Sequence, residues 1–85
     1  MSAAFEADLC PETGAPRVRF NFDNGWSASV VLLAETGNPC LFHIATLAVC
    51  PTGEWGTGVT QLIGTEMGSD GVAQWLAAIS VRPAP

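Results

Sequence analysis

Apolar and polar residues alternate strictly through Arg17–Phe22, RVRFNF, the period-two signature of a strand with one buried face. After Asp23, Asn24 and Gly25 the alternation resumes at Trp26 and holds to Val30, and the segment ends in the apolar run Val30–Leu33. Asn-Gly between apolar residues is a strong hairpin signal, but the loop length decides which side chains meet. A two-residue loop would set Phe22 against Ser27 and Phe20 against Ser29, mixing aromatic and polar residues. A three-residue loop with Gly25 left-handed pairs Phe22 with Trp26, Phe20 with Ala28 and Val18 with Val30. That register gathers Val18, Phe20, Phe22, Trp26, Ala28, Val30 and Leu32 on one face, and a one-residue slip would scatter them, so the three-residue loop is expected.

Residues 34–40, AETGNPC, read as a turn punctuated by Gly37 and Pro39. Leu41–Val49 is apolar on both parities, as in a strand buried on both faces or a short buried helix; Ile44, Thr46 and Val49 favour the strand. Residues 50–58, CPTGEWGTG, form a Gly-rich loop, and 59–63 reads equally as a short strand or a single turn. Val72, Trp75, Leu76 and Ile79 then recur at helical spacing behind Ser69 or Asp70 as N-cap, with Pro83 as the stop. Residues 1–16 carry one helical spacing, Phe5 to Leu9, before Pro11, Gly14 and Pro16, and are expected to be a flexible or partly helical arm. The expectation for 17–85 is one compact α+β domain: an antiparallel sheet of three to four strands (hairpin 17–33, strand 41–49, a short strand at 59–63) packed against one C-terminal helix, 70–80. The helix would cover the Phe20/Trp26 face. The opposite face, with Arg17, Arg19, Asn21, Ser27, Ser29, Val31 and Leu33, is expected to stay open, and Val31 and Leu33 there would suit self-association.

A chain of 85 residues buries only about 60% of its unfolded surface, so the core must be small. Charge changes the picture more. The net charge is −5, lysine is absent, and the cations are Arg17, Arg19 and Arg82. Between Phe20 and Val81 the acids Asp23, Glu35, Glu54, Glu66 and Asp70 have no permanently cationic partner in sequence. Such a field repels nucleic acid and favours basic protein surfaces. No apolar run approaches the roughly 18 residues of a membrane span, and the start carries acids where a secretory signal would be basic, so a cytoplasmic protein without membrane contact is expected. Three cysteines without an export signal argue against a disulfide framework.

Chemistry-bearing motifs are sparse. Cys40-x-x-His43 offers one pair of metal ligands, with Cys10 and Cys50 remote in sequence, where a structural zinc site needs two pairs; no metal is expected. Ser27 and Ser29 lie in a strand without a nucleophile elbow, and the Gly-rich loop lacks the lysine of a phosphate loop. No catalytic residue or cofactor is expected, and the chain does not read as an enzyme. Trp75, in helical register, reads as a core anchor. Trp55 reads two ways: as a solvent-facing interaction anchor beside Glu54, or folded back on the sheet. The partner-binding candidates are Glu35, Glu54, Trp55, Glu66 and Asp70.

Phe22, Asn24-Gly25-Trp26 and Ser29-Val30-Val31 form a pattern, F-x-N-G-W-x-x-S-V-V, that resembles one recurring in short accessory proteins of bacteriophages and mobile elements. Leu62-Ile63-Gly64 and the Asp70–Ile79 segment extend the resemblance over residues 18–80; the longer GTEMGSDG connector departs from it. The resemblance implies a phage accessory protein, similar to the small acidic anti-CRISPR proteins that block a nucleic-acid-binding effector by occupying its basic surface. The implied partner is a CRISPR-Cas effector complex or its nuclease, met by a monomer or homodimer. A phage structural, assembly or regulatory module that self-associates through the open sheet face is the competing reading.

Overall fold

The computed structural model describes residues 4–11, 13–33 and 42–85. Five strands, β1 (Phe5–Leu9), β2 (Pro16–Asn21), β3 (Trp26–Leu33), β4 (Ile44–Pro51) and β5 (Gln61–Met67), precede one helix, α1 (Ser69–Ser80). The strands form a single antiparallel sheet in chain order, β1-β2-β3-β4-β5. The architecture is thus an antiparallel sheet packed against one C-terminal helix, with one strand more than expected.

The hairpin register follows from keeping the apolar residues together. Phe20 opposes Ala28 and Val18 opposes Val30. The Phe22 N–H donates to the Trp26 carbonyl at 2.9 Å, closing a three-residue loop in which Gly25 takes φ +90°. A side chain at Gly25 would be strained there and would also meet the Pro85 ring, at 3.3 Å.

The same face continues into β4, where Ala28 opposes Val49, Val30 opposes Leu47 and Leu32 opposes Ala45. Across these residues lies α1, packed mainly on β3 and β4. Ala28, Val30, Ala45, Leu47, Val49 and Ile79 form the buried core, flanked by Phe20, Phe22, Trp26, Leu32, Ile63, Met67, Val72 and Leu76. Fully burying a Leu or Ile side chain contributes about 1.5–3 kcal/mol, so Leu47 and Ile79 anchor the two layers to each other.

Four expectations are corrected. The N-terminal segment is no helical arm: FEADL alternates apolar with acidic residues and pairs with β2 as β1, Phe5 against Phe20 and Leu9 against Pro16. Pro11 and Gly14 punctuate a turn closed by Cys10 N–H to Ala15 O and Gly14 N–H to Cys10 O, both 2.7 Å. Neither Ser69 nor Asp70 caps α1. Gly68 is the N-cap, with no side-chain cap bond, and Asp70 sits inside the first turn, where its charge still suits the helix dipole. Trp75 is 42% exposed and not a core anchor. At about 100° per residue it lies about 60° round the helix from Val72, at the margin of the face that α1 lays on the sheet. The last strand is Gln61–Met67, displaced from 59–63, with two register irregularities against β4 between Ala45 and Ala48.

The hairpin tip also holds the chain's end. Asn24 Nδ2 donates to the carbonyls of Ile79 (2.7 Å) and Arg82 (2.9 Å), and its Oδ1 accepts the Trp26 N–H at 3.1 Å. Trp26 Nε1 donates to the Pro83 carbonyl at 2.7 Å, while the Arg82 guanidinium stacks 4.7 Å above the Trp26 ring. The last carbonyls of a helix have no intrahelical partner. Asn24 serves as a C-cap delivered from elsewhere in the chain, which ties the Asn-Gly-Trp motif to the docking of α1.

Candidate functional site

The sheet face opposite α1 is set by parity. Residues 17, 19, 21, 27, 29, 31 and 33 project there, joined by Glu6 and Asp8 from β1 and by Thr46, Ala48 and Cys50 from β4. This face is not fully open. Ser27 and Cys50 are completely buried and Ser29 nearly so. The loop after β4 folds back across them: Thr52 N–H donates to Gly25 O (2.9 Å), and the Thr52 and Ser27 hydroxyls lie 2.8 Å apart. Ser27 in turn donates to Asn21 Oδ1 at 2.6 Å, so the buried hydroxyls are satisfied. Burial pushes the Cys50 thiol pKa up, the opposite of what a nucleophile requires. Val31 and Leu33 are half-buried.

Trp55 folds back with this loop, and its ring stacks 4.7 Å from the Arg19 guanidinium. Of its two readings, the fold-back is the one observed. Arg19, which sequence reasoning placed on an open face, is the residue that pins it. Arg19 Nε is buried and makes no hydrogen bond among the described residues, so the aromatic face is its main compensation.

The other cations are engaged as well. Arg17 Nε donates to Asp8 Oδ1 at 2.8 Å and Nη2 to Oδ2 at 2.5 Å, a bidentate pair. The bond to Arg17 holds the Asp8 carboxyl below its ordinary value of 3.8, and the same bond raises Arg17. Arg82 lies on Trp26. All three arginines are half-buried and turned against the protein.

The exposed carboxylates contrast with this. Asp23, Glu54, Glu66 and Asp70 are exposed, and none of them forms an ion pair among the described residues. Glu54 is presented by the turn after Pro51: its N–H donates to Pro51 O (3.1 Å), and its own carbonyl accepts the Thr57 hydroxyl (2.8 Å). Glu66 adjoins Met67, opposite Ala45, and Asp70 lies in the first turn of α1, just past the Gly68 cap. Glu54 lies in the turn that follows the Pro51 end of β4, whereas Met67, next to Glu66, pairs at the Ala45 end. The structure brings Glu66 and Asp70 to one end of the sheet and Glu54 with Trp55 to the other. Glu35, the remaining candidate, lies outside the described residues, as does Cys40 of the Cys40/His43 pair. Among the described residues no group of three potential metal ligands occurs, and no helix is long and apolar enough to cross a membrane.

Sequence reasoning missed Glu6 and Asp8. Glu6 accepts from Asn21 Nδ2 at 2.9 Å and Asp8 grips Arg17, so both fasten β1 to β2. Their signal was the apolar/acidic alternation of FEADL facing the apolar/basic alternation of RVRF. Compared with family models, with curated proteins and with solved structures, the chain matches none of them.

Proposed function

We infer that this protein acts by binding, docking its carboxylates onto a basic surface of a partner protein. The observation that carries the reading is the asymmetry of the charges. Every arginine is consumed internally, by Asp8, by Trp55 or by Trp26, whereas Asp23, Glu54, Glu66 and Asp70 face solvent unpaired among the described residues. The formal charge is −5, and these four carboxylates are the part of it that faces solvent without an ion-pair partner among the described residues. Two separated acidic ends suit an extended basic track, such as a nucleic-acid channel, better than a point contact. Taken with the resemblance of the hairpin motif to phage accessory proteins, this favours an anti-CRISPR inhibitor that works in the host cytoplasm and competes with nucleic acid for lysines and arginines of a CRISPR-Cas effector.

The test is target cleavage by purified effector complexes titrated with this protein. Wild type is expected to inhibit. The triple reversal Glu54→Lys, Glu66→Lys, Asp70→Lys is expected to lose inhibition while keeping its fold, since all three side chains are exposed. Inhibition undiminished by the reversal would overturn the acidic-surface reading.

A further inference from the structure

The two edges of the sheet are built differently. β5 is irregular, with two register shifts against β4, the kind of distortion that protects an edge from adding another strand. β1 is regular along its length and carries neither proline nor lysine. Its hydrogen-bonding parity can be read from the bonds at its ends. Asn21 N–H donates to Ala4 O (2.9 Å) and Cys10 N–H to Ala15 O (2.7 Å), so the even-numbered residues turn their backbone groups towards β2. By the alternation of an antiparallel ladder, the N–H and C=O of Phe5, Ala7 and Leu9 point away from the sheet. Nothing among the described residues pairs with them.

These three residues also carry the strand's apolar side chains, with Phe5 64% and Leu9 65% exposed. Hollows lie at both ends of this strip. One of about 240 Å³ is bounded by Phe5, Phe20 and Phe22, and one of about 380 Å³ by Leu9, Pro16, Leu32 and Phe42. An incoming strand would gain backbone bonds from the free edge and apolar contact with the exposed Phe5 and Leu9 side chains, the mode of strand addition.

Charge selects the occupant. On an added antiparallel strand the residues opposite Glu6 and Asp8 occupy non-hydrogen-bonded positions, where side chains approach most closely. A second copy paired about Ala7 would set Glu6 against Asp8 twice, like charge on like charge. A strand with lysine or arginine at those positions would meet Glu6, whose carboxylate accepts only from the neutral amide of Asn21 among the described side chains, and the outer side of Asp8, which already grips Arg17. We propose that the free edge of β1 binds an extended segment of a partner protein in which apolar residues alternate with basic ones. This rests on the acidic-docking reading above and specifies how one part of the partner is held.

The probe is a short fluorescent peptide alternating valine and lysine, followed by anisotropy. Its comparators are a block-ordered peptide of the same composition, and two peptides N-methylated either on the valines or on the lysines. Valines would lie opposite Phe5, Ala7 and Leu9 and make the ladder bonds. Methylation on valine is therefore expected to weaken binding about tenfold or more, while methylation on lysine leaves it nearly intact. The substitution Ala7→Pro removes an outward N–H without touching a β1–β2 bond, and should weaken binding to a similar extent. Because the methylated peptides leave the protein unaltered, the result does not depend on how well that variant folds. Equal binding of both methylated peptides, or of the block-ordered one, would overturn strand addition while leaving acidic docking standing. Absence of peptide binding, or self-association of the protein through β1, would overturn it too, and inhibition by the full protein would still be decided separately by the triple reversal.

Discussion

Replacing Asn24 with alanine removes three hydrogen bonds in one step: the two donated to Ile79 O and Arg82 O, and the one accepted from the Trp26 N–H. All three are partly buried. At a net contribution of about 1 kcal/mol each, the substitution should cost about 3 kcal/mol. A small domain has only about 5–15 kcal/mol in total. At about 4–8 °C per kcal/mol for a chain of this size, the midpoint of thermal unfolding should fall by roughly 12–24 °C, read by circular dichroism and checked by urea titration. Asn24→Asp sharpens the test. It keeps the acceptor for the Trp26 N–H but turns a carboxylate oxygen towards two carbonyl oxygens, so it should cost at least as much as alanine despite its near-identical shape. A loss below about 0.5 kcal/mol for Asn24→Ala, the range of ordinary surface substitutions, would refute the capping role. So would an Asn24→Asp protein as stable as the wild type.

Further outcomes follow from the same contacts. Ile79→Ala, at the one helix residue that is fully buried, should cost about 2–5 kcal/mol by chemical denaturation, whereas Trp75→Ala, on the rim, should cost much less. Gly25→Ala should destabilise by about 1–2 kcal/mol, because φ is +90° there and the Pro85 ring crowds the new methyl. The Asp8 carboxyl, held low by Arg17, should titrate below 3.8 when followed by NMR, and Arg17→Ala should return it towards that value. Since the folded-state pKa is the depressed one, the bond supports β1 above the unfolded pKa and is lost as pH falls through the folded value, so β1–β2 pairing should loosen in that acid window.

How much of this was legible in the chain depends on whether the deciding force was local. The hairpin register was readable because aromatic and β-branched residues on alternating positions leave only one loop length that keeps them together, and Phe20–Ala28 and Val18–Val30 follow it. The helix was readable from the Val72, Leu76 and Ile79 spacing. β1 was not, because Phe5 and Leu9 satisfy a helical spacing as well as an alternating one, and only β2, eleven residues away from Phe5 at Pro16, resolves the ambiguity. The helix stripe marks which side is buried but not how closely the helix approaches the sheet, so spacing alone makes Trp75 read as core although it is exposed. At the candidate site, the exposure of Glu54, Glu66 and Asp70 follows from their charge, whereas the internal engagement of the arginines is tertiary. Arg19 meets Trp55 across 36 positions of sequence and Arg82 meets Trp26 across 56, distances at which no periodicity speaks.

The central claim, that an exterior stripped of free cations docks on a basic surface, is tested most directly by the rate at which the protein associates with a purified CRISPR-Cas effector as ionic strength is raised from about 50 to 200 mM. The account predicts an association rate that falls about tenfold or more over that range, a dissociation rate that changes little, and displacement of the protein by target DNA. Association that is insensitive to salt, or simultaneous binding of protein and DNA without competition, would contradict it.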